Sequence, residues 1–171
     1  MVIKKGTHYA RPLQLFKKLL GIRFCREREM TCVVRFDKSC KYKIYQDQSD
    51  INKLFGFSLG MHHKNSIRVG WRWLNGNLEL CSYIYENGVR LKEKVLCNCD
   101  FVREYKIDVH LVVVDGMYRV YIYVNGTMKH RQHLATKVKK YVSYPLSLYF
   151  GGNCTAPHDM NIDYKVYYNG N

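Results

Sequence analysis

Ile67-Arg68-Val69-Gly70-Trp71-Arg72-Trp73-Leu74-Asn75-Gly76-Asn77-Leu78-Glu79-Leu80-Cys81 reads as two extended runs joined by Asn-Gly. Both residues of that pair tolerate positive φ, which a two-residue type I′ turn requires, so it is the strongest short-range signal for a β-hairpin. The signal recurs on working outward. Residues 81–86 lead through Asn87-Gly88 into 89–95, and residues 105–114 lead through Asp115-Gly116 into 117–124. Asn125-Gly126 then turns the chain once more. Successive turns of this kind predict an antiparallel meander.

Side-chain alternation supports the same reading. Tyr118, Val120, Ile122 and Val124 share one face of an extended strand, and Arg119, Tyr121 and Tyr123 share the other. The first set suits a core, the second a solvated or ligand-facing surface. Residues 107–114 turn uniformly apolar after His110, and 161–168 close the chain with a period of two. Ten or eleven short strands must bury one face of each sheet, so two packed sheets or a closed barrel are the stable solutions. The expected fold is all-β: an antiparallel β-sandwich of jelly-roll (concanavalin-like) type, with at most one or two short helices. The 171 residues fit a single domain, 1–171. Within it, residues 1–21 form a basic N-terminal arm or a short helix, with Leu13, Phe16 and Leu20 on one helical face and Gly21 as a stop. Asp50 is a second candidate cap, for one helical turn before Leu54-Phe55-Gly56-Phe57.

The formal charge of +14, from 28 Lys and Arg against 14 Asp and Glu, favours association with polyanions. Residues 1–30 hold eight basic and two acidic side chains. Residues 129–140 hold five basic side chains and no acidic one: Lys129, Arg131, Lys137, Lys139 and Lys140. Tyr141 and Tyr144 follow this tract, making it a candidate contact for single-stranded nucleic acid through phosphate pairing and base stacking. No zinc-finger spacing, aromatic RNA-binding strand motif or recognition helix accompanies it. Seven cysteines, an odd number, and no apolar leader-like run at the start point to reduced thiols and a cytoplasmic location. No apolar run is long enough for a membrane span.

Two polar loops stand apart from the plain Asn-Gly turns. The first runs Gly60-Met61-His62-His63-Lys64-Asn65-Ser66 into a strand bearing Arg68, Trp71, Arg72 and Trp73. On that strand Arg68 and Arg72 share one face, while Val69, Trp71 and Trp73 share the other. Either the indoles fill the core over solvated arginines, or an indole and tyrosines such as Tyr83 and Tyr121 stack on a sugar ring or base. In the second case Arg68 and Arg72 would read carboxylate, sulfate or phosphate. The second loop, residues 151–159, contains Gly151-Gly152-Asn153 and His158-Asp159. It is expected to meet the first loop at one edge of the sandwich, placing His62 or His63 near His158 or Asp159. These are ligand types for zinc, but His62 and His63, adjacent on an extended chain, would point to opposite faces, and no metal or other cofactor is expected. The chain lacks a G-x-S-x-G elbow in an α/β setting, a P-loop and a dinucleotide fingerprint.

These loops also carry a resemblance. Asp50-Ile51-Asn52-Lys53-Leu54-Phe55-Gly56-Phe57-Ser58, continuing through His62-His63 to Gly70-Trp71-Arg72, resembles uncharacterised proteins of gut Bacteroidetes and their phages. Tyr149-Phe150-Gly151-Gly152-Asn153 with Ala156-Pro157-His158-Asp159 fits the same pattern. The resemblance implies a concanavalin-like jelly roll and no particular activity. Such folds bind or cleave carbohydrate or build virions, an analogy of fold alone. The leading expectation is a binding module for an anionic polymer, preferably an acidic polysaccharide. A structural or virion interaction protein is the alternative, and a polysaccharide-lyase-like enzyme comes third.

Overall fold

A computed structural model describes residues 1–9 and 22–169. The expected helical face at residues 13–20 lies outside the described residues. The four Asn-Gly and Asp-Gly pairs at 75–76, 87–88, 115–116 and 125–126 are hairpin turns. Asn75, Asn87, Asp115 and Asn125 adopt φ between 50° and 52°, and each is followed by a glycine that is also positive. The elements run β1 (Val2–Ile3), β2 (Arg23–Cys25), β3 (Arg28–Phe36), β4 (Asn52–Ser58), β5 (Ser66–Leu74), β6 (Asn77–Glu86) and β7 (Val89–Arg90). They continue as β8 (Val95–Cys99), β9 (Glu104–Val114), β10 (Met117–Val124), β11 (Thr127–Lys137), β12 (Tyr141–Ser143), β13 (Pro145–Leu146) and β14 (Met160–Asn169). Among the described residues a single 3-10 turn, Lys38–Cys40, follows β3 and is capped by the Asp37 carboxylate accepting from the Ser39 amide. Asp50 caps no helix: its amide closes a turn on Asp47 O, and the chain enters β4 directly.

The strands form an antiparallel sandwich of the jelly-roll type. One sheet has the order β1-β14-β3-β9-β10-β11 and the other β13-β4-β5-β6, with β7 and β8 pairing successive lengths of β6. A small ribbon, β12-β2, lies beside them. Between the sheets lies one apolar cluster, to which Phe36, Phe55, Phe57, Trp71, Tyr118 and Phe150 contribute the largest side chains. The alternation read in β10 holds: Tyr118, Val120, Ile122 and Val124 are buried, while Arg119, Tyr121 and Tyr123 are half-exposed. Ile67, Val69 and Trp71 of β5 likewise point inward. Trp71 is fully buried against Phe36, Tyr42 and Phe150, so it belongs to the core rather than to a ligand surface. Among the described residues no helix is long and apolar enough to cross a membrane.

Candidate functional site

The outer face of the β13-β4-β5-β6 sheet is laid out by its register. Gly56 of β4 lies opposite Arg68 of β5, which lies opposite Tyr83 of β6; Leu146 of β13 completes that row. The neighbouring row places Ser58 beside Ser66 and Tyr85, and the row on the other side places Lys53 beside Gly70 and Cys81. Tyr149 bridges to Lys53 and extends this last row. Gly56 and Gly70 sit where neighbouring segments pack too closely for a side chain. A Cβ on Gly56 would lie 2.2 Å from Ile67 O, and one on Gly70 2.3 Å from Ile51 Cγ2. Interior glycines of strands mark close backbone approach of this kind.

The result is a cavity of about 390 Å³ floored by Lys53, Ser66 and Arg68. Tyr83 and Tyr85 wall one side, Tyr9 and Tyr149 the other, and His62 and His63 close one end. The N-terminal segment delivers the second wall. Phe150 N donates to His8 O, the His8 ring stacks on Tyr149 at 4.8 Å, and Tyr9 meets Tyr149 edge-on at 5.0 Å. His62 and His63 do not diverge as an extended chain would make them. Lys64 N and Asn65 N both bond back to Met61 O, forming a turn, and the two rings sit 4.0 Å apart. His62 Nδ1 lies 2.8 Å from the Tyr144 hydroxyl.

The fixed charges among the residues that line the cavity are cationic. Among the described residues that line it, none is Asp or Glu, whereas Lys53 and Arg68 project into it. Arg68 is half-buried, and its Nε finds no hydrogen-bond partner among the described residues. Its guanidinium is held below the ordinary arginine range by burial. Lys53 donates through Nζ to Gly151 O at 2.7 Å and lies over the Tyr83 ring at 4.9 Å. Burial lowers its ammonium to about 8, opposed by Asp50, whose carboxylate is 3.9 Å away, and reinforced by Arg68 and Arg90. Burial pushes the Tyr83 phenol up to about 12.

Several expected ligand residues serve other ends. Arg72 is consumed by Glu79 (2.7 Å), Ser49 O (3.0 Å) and Glu93 (3.5 Å). Trp73 stacks on Phe101 at the sandwich edge with Lys41 over its ring. Asn65 Oδ1 accepts from Asn87 N and ties the first loop to the β6–β7 turn. Tyr121 stands on β10, opposite Arg131 and His110, in the other sheet. Asn153 pairs with Asp47, His158 Nε2 lies 2.8 Å from Ser39 O, and Asp159 bonds Lys4 and Lys5 N.

The two polar loops do not meet. The first follows Ser58 at the C-terminal end of β4; the second is anchored at the N-terminal end, where Gly151 N donates to Asn52 Oδ1. A seven-residue strand, roughly 20 Å long, separates them. They bracket the cavity from opposite ends, and of the second loop Gly151 and Gly152 approach it while His158 and Asp159 face elsewhere. Lys53, Tyr9, Tyr85 and Tyr149 complete the site beyond the expected residues. In the basic tract, Lys129, Arg131 and Lys137 lie on β11, while Lys139 covers the Tyr141 ring and Lys140 the Phe24 ring.

No family model matches this chain. No curated protein matches it in sequence. Among solved structures it superposes on the alginate lyase AlyC3 with a TM-score of 0.56 at 11% identity, covering 85% of this chain and 67% of that one. The same lyase in complex with dimannuronate gives 0.52 at 9% identity, over 88% and 68% of the two chains. The botulinum neurotoxin type G receptor-binding domain gives 0.50 at 13% identity; this chain spans 86% of its own length but only 34% of that chain. These likenesses show the jelly-roll sandwich fold.

Proposed function

We propose that this face binds an anionic polysaccharide, with a uronate carboxylate seated on Arg68 beside Lys53 and the sugar rings held between Tyr83 and Tyr149. The observation that carries the reading is the Arg68 guanidinium, its Nε unpartnered among the described residues, beside Lys53 in a cavity whose described lining has no carboxylate. An arginine fork matches a carboxylate in geometry and charge. Flanking tyrosines offer broad apolar faces tipped with hydroxyls, suited to a polar ring. The volume falls in the range of small-ligand sites and suits a short stretch of a chain. The raised Tyr83 phenol keeps its proton and acts as a donor, which favours binding over proton abstraction.

Calorimetric titration with an oligouronate and with a neutral glucan of equal length tests the reading, at low and at high salt. The oligouronate binds at both salts and the glucan does not. Equal binding of every polyanion, abolished by salt, leaves counterion release alone and removes the specific site.

A further inference from the structure

Outside this cavity, Cys97 and Cys99 lie two residues apart on β8. Their partners on β6 are Leu80 and Leu78, so both thiols face inward at the sandwich edge, where β8 approaches β11 of the other sheet. Sγ to Sγ is 3.9 Å, with one thiol donating to the other. Cys97 is half-buried and Cys99 is buried, so the pair is shielded yet open at one sulfur. We propose that Cys97 and Cys99 form a two-thiolate site for a soft monovalent cation of the copper(I) type.

The sulfur spacing lies closer to that of a metal-bridged pair than to that of a disulfide. Closing a disulfide brings the sulfurs to about 2.05 Å and prefers Cα atoms less than about 6.8 Å apart. Residues two apart on a strand stand about 6.7 Å apart, at the upper end of that range, and closure would draw the sulfurs together from 3.9 Å. Two metal–sulfur bonds of about 2.3 Å instead hold the sulfurs about 3.8 Å apart when tetrahedral and about 4.6 Å when linear. The pair therefore admits an ion by opening less than ~1 Å through side-chain rotation alone. Among the described residues no third His, Cys, Asp or Glu joins the pair, which does not complete the four-ligand set zinc prefers. Thiolates without further ligands select copper(I).

Binding displaces both thiol protons to solvent, transfers no electron and leaves a net charge of −1 on the ion and its two sulfurs. Lys129 and Arg103 lie in the neighbourhood of Cys97, and Asp100 and Tyr105 in that of Cys99.

Anaerobic titration of copper(I) against a coloured chelator of known affinity, such as bicinchoninate, decides the matter. Wild-type protein withdraws one equivalent held by two sulfur scatterers in the copper-edge X-ray absorption spectrum. Cys97→Ser and Cys99→Ala each weaken that equivalent at least tenfold, with circular dichroism verifying the fold, while Cys81→Ser and Cys154→Ser retain it. Failure of the wild type to withdraw copper overturns the proposal, as does undiminished binding in a correctly folded Cys97→Ser variant. A peptide containing residues 97–99 found two hydrogens lighter after treatment with glutathione disulfide overturns it too, because the pair then closes as a disulfide.

Discussion

Replacing Arg68 by Met separates a binding arginine from a structural one by sign. In the free protein Arg68 Nε is buried without a partner among the described residues, and Lys53 lies close enough to repel it. An unsatisfied buried donor costs about 1–3 kcal/mol, and methionine fills much of the same volume without that cost. Arg68→Met therefore stabilises the unliganded fold by about 1 kcal/mol, a rise of roughly 2–4 °C in melting temperature for a chain of this length. Its affinity for an oligouronate moves the other way. Truncating one partner of a charge-assisted, partly desolvated pair costs about 2–3 kcal/mol, or roughly 30- to 150-fold in Kd. Scanning calorimetry and isothermal titration on the same preparation read both numbers. A melting temperature that falls by several degrees while affinity is unchanged refutes the reasoning, because Arg68 would then be holding the sheet together.

Lys53 sets a pH dependence. Its folded value of about 8 lies below the ordinary 10.5, so the unfolded chain binds more protons between those values and stability rises with pH across that window. Below about pH 8 the burial penalty is fully present. The difference in unfolding free energy between wild type and Lys53→Met should shift by up to about 3 kcal/mol from pH 7.5 to 10.5, and anion affinity of the wild type should fall over the same range. A flat difference in denaturant titrations counts against the buried ammonium. Gly56→Ala places a Cβ against Ile67 O at a φ of 151°, and is expected to cost about 3 kcal/mol or more, seen as loss of soluble folded protein. His158→Ala removes a bond to Ser39 O far from the cavity; it should lower stability by about 1 kcal/mol in urea melts and leave oligouronate Kd within twofold.

The hairpins were legible because the four Asx-Gly turns and their flanking alternation are local properties of consecutive residues. The cavity was half legible. Arg68 and Arg72 look alike in sequence, two residues on one face of one strand. Cross-strand register separates them: Arg72 lies opposite Glu79 and is neutralised, while Arg68 lies opposite Tyr83 and keeps its charge available. Lys53 and Tyr149 meet across an antiparallel bridge between distant segments, which no local pattern encodes. His158 and Asp159 misled for a related reason. Polar loop residues signal that partners exist, and here those partners are Ser39 and Lys4 rather than a ligand.

The position of the basic tract has a consequence for how copies of this chain treat one another. Among the described residues strand β11 is the last of its six-stranded sheet, eleven residues long, and a strand in that position leaves backbone groups open to another chain. Lys129, Arg131 and Lys137 sit along it, and lysine on an edge strand deters a second strand from docking there. Part of the charge that reads as an invitation to polyanions thus acts as a fence. Acetylating those lysines would open the gate to sheet-to-sheet polymerisation before it disturbed the fold itself.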